Sequence, residues 1–122
     1  MTLRSEIVEV GVLDVGWAKF PIKFKTGMKA DDGDELLGCV CFDKYEIHLE
    51  TKQEPSIMRR TLLHECLHVI LSTTGVKQPD EDVHSQLTTT NEYITEQTTR
   101  GLFLLRKLNP DLWTILFDEE DE

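Results

Sequence analysis

Residues 55–73, PSIMRRTLLHECLHVILST, form the stretch of sequence that decides the fold. Pro55 suits the first turn of a helix, because the backbone N–H that proline lacks has no helical partner at that position. Apolar side chains then recur on nearly every side of the predicted helix: Leu62, Leu63, Cys66, Leu67, Val69, Ile70 and Leu71. Gly75 suits the residue that follows a helix end. The pattern therefore predicts a helix that is buried nearly all round and ends near Thr73.

Three polar side chains interrupt this apolar helix in the pattern His64-Glu65-x-x-His68. Histidines four residues apart lie on one helix face about one turn apart, so both imidazoles can reach one metal ion. Polar groups in an apolar helix are unfavourable unless something pairs them, and metal binding pairs these. The motif predicts a zinc site with His64 and His68 as ligands, in which Glu65 can reach a water molecule at an open position.

A catalytic zinc site needs a third protein ligand, and the sequence offers several candidates. Glu92 and Glu96 lie one turn apart on the next predicted helix, so both can approach the histidines. His84 follows an acidic loop at the entrance of that helix, where an exposed histidine is common. His48 alternates with acidic residues, which favours a surface position at the rim of the cleft. Spacing alone leaves the third ligand open.

The chain before about position 50 shows alternation in place of helical spacing. Residues 17–24 and 45–50 each carry apolar side chains at every second position, which predicts half-buried strands. The segment GCVCF at 38–42 precedes a turn at Asp43-Lys44 and predicts a hairpin with the strand that follows. This part of the chain therefore predicts a small antiparallel sheet.

Helical spacing continues after the loop that contains Pro79. A second long helix is predicted from about residue 83 to 108, with one apolar stripe and with Gly101 allowing close helix packing. The stripe consists of Leu87, Ile94, Thr98, Leu102 and Leu105. Asn109 as N-cap and Pro110 at the first helical position then predict a short last helix. Strands followed by helices predict an α+β fold, with one domain over residues 1–122.

Composition narrows the class of function. The 122 residues include 13 Lys and Arg against 23 Asp and Glu, a net charge of −10, which argues against direct binding to nucleic acid or to anionic membranes. Residues 118–122, DEEDE, predict a solvated acidic tail. No apolar run suits a signal peptide or a membrane span, and three cysteines without a CxxC pair fit a reducing compartment, so the expected location is cytoplasmic.

The cysteine and tryptophan side chains are predicted to have structural roles. Cys39 and Cys41 share one face of a strand and are predicted to pack in the core, without a partner for a zinc knuckle. Cys66 points away from both motif histidines and is predicted to be a small buried apolar residue. Trp17 and Trp113 are also predicted to belong to the core.

At these residues the chain resembles the ImmA/IrrE-like metallopeptidases, in particular short phage and prophage members without a helix-turn-helix domain. The resemblance covers roughly residues 38–112 and is carried by Gly38, Ile47-His48-Leu49, Thr61 through His68, Gly101-Leu102 and Asn109-Pro110. In those relatives a glutamate precedes the Gly-Leu pair, and counting back from Gly101 gives Glu92. This chain has Asn91-Glu92-Tyr93 where the relatives often have paired acids.

The resemblance implies a zincin-like core, in which a small antiparallel sheet packs on the HExxH helix and on a second long helix that carries a glutamate ligand. It implies His64, His68 and Glu92 as zinc ligands and Glu65 as catalytic base. The implied function is a cytoplasmic endopeptidase that cleaves a specific protein, such as a repressor or another regulator of a mobile element or phage. The motif does not identify the substrate or regulatory partner. It does not give the oligomeric state either.

Two further expectations concern substrate binding and alternative functions. The strand at 45–50 is expected to present its edge to an extended peptide, and Tyr93 and His84 are candidate oxyanion donors. A non-catalytic zinc-stabilised binding or inhibitory module of a phage shares every motif, and a closed shell completed by His84 or Glu96 would distinguish it. A SprT-like protease acting on DNA-bound proteins is disfavoured by the net charge of −10.

Overall fold

The structure is a computed structural model that describes residues 2–73 and 91–117, except for the side chains of residues 91–93 and 95. The described elements are, in chain order, α1 (Leu3–Val10), β1 (Val12–Asp14), β2 (Lys19–Lys25), β3 (Gly38–Cys41), β4 (Glu46–Glu50), α2 (Pro55–Thr73), α3 (Asn91–Leu108) and α4 (Pro110–Phe117). A mixed α+β architecture is therefore confirmed. None of the described helices combines the length and the apolar character that a membrane crossing requires.

The four strands form one sheet in the order β1-β2-β4-β3. The β3–β4 hairpin is antiparallel, as predicted, with Val40 opposite Ile47. The prediction of an antiparallel sheet is wrong for the central pair, because β2 and β4 run parallel, with Ile22 opposite Ile47. The chain between β2 and β3 crosses to the far edge, so the returning hairpin inserts β4 beside β2. Alternation cannot reveal that insertion, since either direction buries the same faces.

The predicted free edge at residues 45–50 is also wrong. Strand β4 has β2 on one side and β3 on the other, so its backbone hydrogen-bonding groups are already engaged on both sides. Among the described strands, β3 pairs with β4 alone and forms one edge of the sheet. On the hairpin side of the sheet, the edge therefore belongs to Gly38–Cys41, and Val12–Asp14 forms the other edge.

Helix α1 replaces the alternation expected at the start of the chain. The Thr2 hydroxyl oxygen accepts a hydrogen bond from the Ser5 backbone N–H at 3.1 Å and caps the helix. Gly11 ends it with φ 77°, a backbone conformation that glycine adopts without strain. Leu3 and Ile7 are buried from this short helix, so packing on the core stabilises it.

Helix α2 has the predicted bounds and packs against β3, β4, α3 and α4. The prediction that it is buried nearly all round is wrong, because one face, which includes Arg60 and His64, is exposed. The predicted close approach at Gly101 is confirmed, because a Cβ there would lie 2.5 Å from Ile70 Cγ2. The crossing of α2 and α3 therefore depends on glycine. The fully buried side chains of the core include Phe20, Ile7, Leu13, Ile47, Leu49, Leu62, Leu105 and Leu112.

Asn109 joins the two ends of the fold. The last helix begins at Pro110 as predicted, and the Asn109 carbonyl oxygen accepts from the Trp113 N–H at 2.9 Å. The Asn109 side chain does not cap that helix, because its amide faces β1. Its Oδ1 accepts from the Asp14 backbone N–H at 2.7 Å, and its Nδ2 donates to the Asp14 carbonyl oxygen at 2.8 Å.

Several smaller predictions also have outcomes. Trp17 is 61% exposed, so its predicted core position is wrong; it instead makes an edge contact with Tyr45 at 5.5 Å between ring centroids. Trp113 packs against the core as predicted. Leu105 of the predicted α3 stripe is fully buried, whereas Ile94 is largely exposed. The predicted start of that helix before residue 91 and the acidic tail at 118–122 lie outside the described residues.

Candidate functional site

The two motif histidines lie together on α2. His64 Nε2 and His68 Nε2 are 3.1 Å apart, with their rings nearly perpendicular. Two nitrogens bound to one tetrahedral zinc ion at 2.0–2.1 Å are about 3.3 Å apart, so the pair is already close to the geometry of two zinc ligands. Partial burial, His68 and Arg60 lower the pKa of His64, which favours the neutral imidazole that binds metal.

Glu65 follows the first histidine and points into the protein. Its side chain is 6% exposed and lies against β3, where a Cβ on Gly38 would be 3.2 Å from Glu65 Oε2. Burial raises the pKa of this carboxyl group, an effect that nearby His68 partly opposes. Glu65 therefore combines a buried position beside the edge strand with a carboxyl group that takes up a proton more readily than usual.

A groove of about 330 Å³ runs between the chain leading into β3 and the exposed face of α2. Leu37 and Gly38 line one side, and Arg60, His64 and Glu65 line the other. Both a candidate metal-binding imidazole and the buried carboxyl group therefore face a space next to β3, an edge strand among those that the structure describes.

The described residues do not complete the ligand set. Glu92 belongs to the first turn of α3, but its side chain lies outside the described part, as do Tyr93's side chain and all of His84. Glu96 is exposed and forms an ion pair with Arg100 at 2.8 Å. Over residues 2–73 and the described part of 91–117, no third ligand side chain gathers with His64 and His68.

A second cluster of ligand side chains lies on the sheet. Cys39, Cys41 and His48 place one sulfur or nitrogen atom each within 4.8 Å of one another, and this group can hold a metal ion. Cys41 Sγ lies 3.6 Å from His48 Nδ1. The strand register pairs Cys39 with His48 and Cys41 with Glu46, so all four side chains share one face. We call Cys39, Cys41 and His48 the thiol cluster.

The predicted core packing of Cys39 and Cys41 is wrong. Val40, the residue between them, packs on the core, so the two cysteines point to the opposite face and are half-buried. The sequence contained the signal, because a hairpin that turns over residues 42–45 pairs positions 39 and 48. Burial and the neighbouring Cys41 raise the pKa of Cys39 to about 11. Cys66 is fully buried, as predicted.

His48 also differs from the expected surface residue at the cleft rim. Its ring is mostly buried and lies between the thiols and Glu46, with Nε2 2.8 Å from Glu46 Oε1. The other oxygen of Glu46 accepts from Lys23 Nζ at 2.7 Å. Lys23 and then His48 lower the pKa of Glu46 to about 2, so this carboxylate is ionised and accepts a hydrogen bond from the Nε2–H of His48.

Comparison of the chain with models of protein families, with curated proteins and with solved structures gives no match. Function is therefore inferred from the two clusters and from the elements that hold them.

Proposed function

We propose that the chain is a zinc-dependent endopeptidase that cleaves a specific protein, with a zincin-like arrangement of α2 and the sheet. The observation that carries the proposal is the 3.1 Å separation of His64 Nε2 and His68 Nε2, on a helix whose intervening Glu65 is buried beside an edge strand. The resemblance of residues 38–112 to ImmA/IrrE-like metallopeptidases supports the same function.

The proposed zinc ligands are His64, His68 and Glu92. The two imidazoles fit zinc in spacing, and a carboxylate as third ligand gives a set that leaves one position for water. Glu92 is preferred to Glu96, because the family pattern points to it and Glu96 is paired with Arg100. Bound zinc supplies Lewis-acid chemistry, which lowers the pKa of water to about 7 and polarises a carbonyl group.

Glu65 is proposed as the general base. It accepts a proton from the attacking water on a carboxylate oxygen and donates that proton to the nitrogen of the leaving amine. Its raised pKa suits both steps, because a carboxyl group whose pKa lies closer to neutral pH both accepts and releases a proton efficiently. The lack of a side chain at Gly38 leaves room for the carboxyl group beside the strand where a substrate would lie, because a Cβ there would be 3.2 Å from Glu65 Oε2.

Strand β3 is proposed as the substrate-binding edge. An extended peptide that pairs with Gly38–Cys41 would extend the sheet and lie along the groove that His64 and Glu65 line. Backbone pairing supplies affinity with little selectivity, so specificity would come from side chains around the groove, such as Leu37 and Arg60. The net charge of −10 favours a protein substrate over nucleic acid, and we propose a cytoplasmic location.

The first test separates an open zinc site from a closed one. X-ray absorption on protein that lacks Cys39 and Cys41 should show two imidazoles, a carboxylate and a water at one zinc ion. Glu92→Gln should lose the carboxylate, whereas the matched variant Glu96→Gln should keep it. A shell of four protein ligands without water would contradict catalysis and support a zinc-stabilised binding or inhibitory module.

The second test measures cleavage. Zinc-loaded wild type and Glu65→Gln are each incubated with native proteomes and with proteome-derived peptides, and new protein termini are identified by mass spectrometry. Glu65→Gln should bind zinc as wild type does and produce none of the wild-type cleavages. Identical patterns from both proteins would overturn the proposed role of Glu65.

A further inference from the structure

We infer that the thiol cluster is a second metal site, built for a thiophilic d¹⁰ cation, Zn²⁺ or Cu⁺. It lies on the sheet face that points away from the core, whereas Gly38 on the same strand faces α2 and Glu65. The inference goes beyond the proposed peptidase, because it uses no residue of the His64 and His68 site.

The spacing of the donor atoms fits one ion. A sulfur bound at about 2.3 Å and a nitrogen bound at 2.0–2.1 Å are about 3.6 Å apart around a tetrahedral ion. Cys41 Sγ and His48 Nδ1 are 3.6 Å apart, and every separation within the thiol cluster is at most 4.8 Å. Rotation of the two thiols and of the His48 ring would bring all three donor atoms onto a single ion.

Glu46 provides an independent observation that points to a ligand at Nδ1. A histidine that binds metal through one ring nitrogen usually donates its other N–H to a carboxylate, which fixes both the tautomer and the ring orientation. Glu46 Oε1 lies 2.8 Å from His48 Nε2, so Nε2 carries the proton and Nδ1 keeps the lone pair that can bind a metal ion. Cys41 Sγ lies 3.6 Å from Nδ1 and 3.9 Å from Nε2, beside the ring rather than on the axis of that lone pair. Lys23 holds the second oxygen of Glu46 at 2.7 Å. The contacts from Lys23 to Glu46 and from Glu46 to His48 Nε2 leave Nδ1 as the ring nitrogen that can bind a metal ion.

The donor set selects the class of ion. Two thiolates and one imidazole favour soft or borderline cations such as Cu⁺ and Zn²⁺ over Mg²⁺ and Ca²⁺, which prefer oxygen ligands. Cu⁺ is satisfied by three ligands, whereas Zn²⁺ would add a water molecule at the half-buried surface. Either ion replaces the two thiol protons and links β3 to β4.

Such an ion would brace the edge of the sheet. Strand β3 is only four residues long, and the turn to β4 contains Tyr45 with φ 56°, a left-handed conformation that tyrosine adopts at some cost. A bond from both β3 cysteines to His48 on β4 joins the strands on the face opposite α2. Metal loading should therefore raise the thermal unfolding temperature and slow amide exchange in β3.

The test uses full-length, reduced, metal-free protein that carries His64→Ala and His68→Ala, so that the thiol cluster is examined alone. Zn²⁺ or Cu⁺ is added in competition with a chelator of known affinity, and metal-edge X-ray absorption is recorded. We expect sulfur neighbours, at about 2.3 Å for zinc, and tighter binding of one ion identifies which of the two the site prefers. Absence of sulfur neighbours for both ions would overturn the inference.

Three variants locate the ligands. Cys39→Ser with Cys41→Ser should lose the sulfur neighbours, whereas Cys66→Ala, which removes the remaining thiol, should keep them. Glu46→Gln should retain the sulfur ligands and weaken binding roughly 10- to 100-fold. Sulfur neighbours that persist in the double serine variant would contradict the assignment. Because the imidazole pair is absent throughout, neither result depends on the proposed peptidase site.

Discussion

The side-chain amide of Asn109 makes two hydrogen bonds to the backbone of Asp14, although 95 positions separate the two residues. The amide is buried and satisfies both the N–H and the C=O of one β1 residue. It thereby joins the strand at one edge of the sheet to the junction of α3 and α4.

Replacing Asn109 should destabilise the fold. Asn109→Ala leaves a partly buried donor and a partly buried acceptor on Asp14 unpaired, so the free energy of unfolding should fall by about 1–3 kcal/mol. Asn109→Asp should cost a similar amount, because a carboxylate can accept from the Asp14 N–H but repels the carbonyl oxygen. Urea unfolding gives these values, with exposed Lys107→Ala as control. Equal midpoints for Asn109→Ala and wild type would contradict the contact.

Gly38→Ala should separate β3 from α2. The added Cβ would lie 2.8 Å from Thr61 Cγ2 and 3.2 Å from Glu65 Oε2, and the resulting overpacking should cost about 1–3 kcal/mol. Thr61→Ser removes the closer atom and keeps the hydroxyl, which lies within hydrogen-bonding distance of Gln53 Oε1 and of the Ile57 carbonyl oxygen. A double-mutant cycle should therefore show partial rescue. Strictly additive effects would mean that Thr61 is not the obstacle.

Gly101→Ala sets helix propensity against packing. Alanine favours a helix interior by about 1 kcal/mol over glycine, whereas a methyl group 2.5 Å from buried Ile70 Cγ2 should cost about 1–3 kcal/mol. We expect a net loss of stability in thermal or urea unfolding. A gain of about 1 kcal/mol would show that α2 and α3 do not cross this closely.

Acid should destabilise the protein through Glu46 and Glu50. Lys23 and His48 lower the pKa of Glu46 to about 2, and backbone N–H donors from Met28 and Lys52 also lower the pKa of Glu50. Folding therefore favours the ionised forms, and this stability is present above the ordinary pKa of 4.5 and is lost as pH falls toward about 2. Urea midpoints measured across this range should decline.

Glu46→Gln is the control for that pH dependence. The variant cannot ionise at position 46, so its stability should decline less between about pH 4.5 and about pH 2 than that of wild type. Parallel curves for the two proteins would show that Glu46 has the same pKa in the folded and unfolded chains.

Local features of the fold were predictable from sequence. The bounds of α2 followed from a long apolar run, and the start of α4 followed from Asn109-Pro110. The parallel pairing of β2 with β4 did not, because it depends on where the chain crosses the sheet. The sequence predicted that the Asn109 side chain caps the last helix. Its contact with Asp14 could not be predicted, because Asp14 is remote in sequence.

The candidate site was also predictable only where it depends on local structure. The spacing of His64 and His68 is fixed by helix geometry, so sequence was sufficient to pair them. Predicting the thiol cluster requires both the register of the β3–β4 hairpin and knowledge of which face of β3 packs on the core. If Val40 is taken as the core residue of β3, strand alternation puts Cys39 and Cys41 on the opposite face, which they share with His48.

The position of α2 in the middle of the chain has a consequence for synthesis. The helix packs against β3 and β4, which precede it, and against α3 and α4, which follow it, while α4 also contacts α1. A nascent chain emerges from its amino end, so α2 leaves the ribosome before half of its neighbours exist. Strand β1 likewise lacks its two hydrogen bonds to Asn109 until that residue has been synthesised. The HExxH face should therefore reach its final packing only after α3 and α4 have emerged from the ribosome.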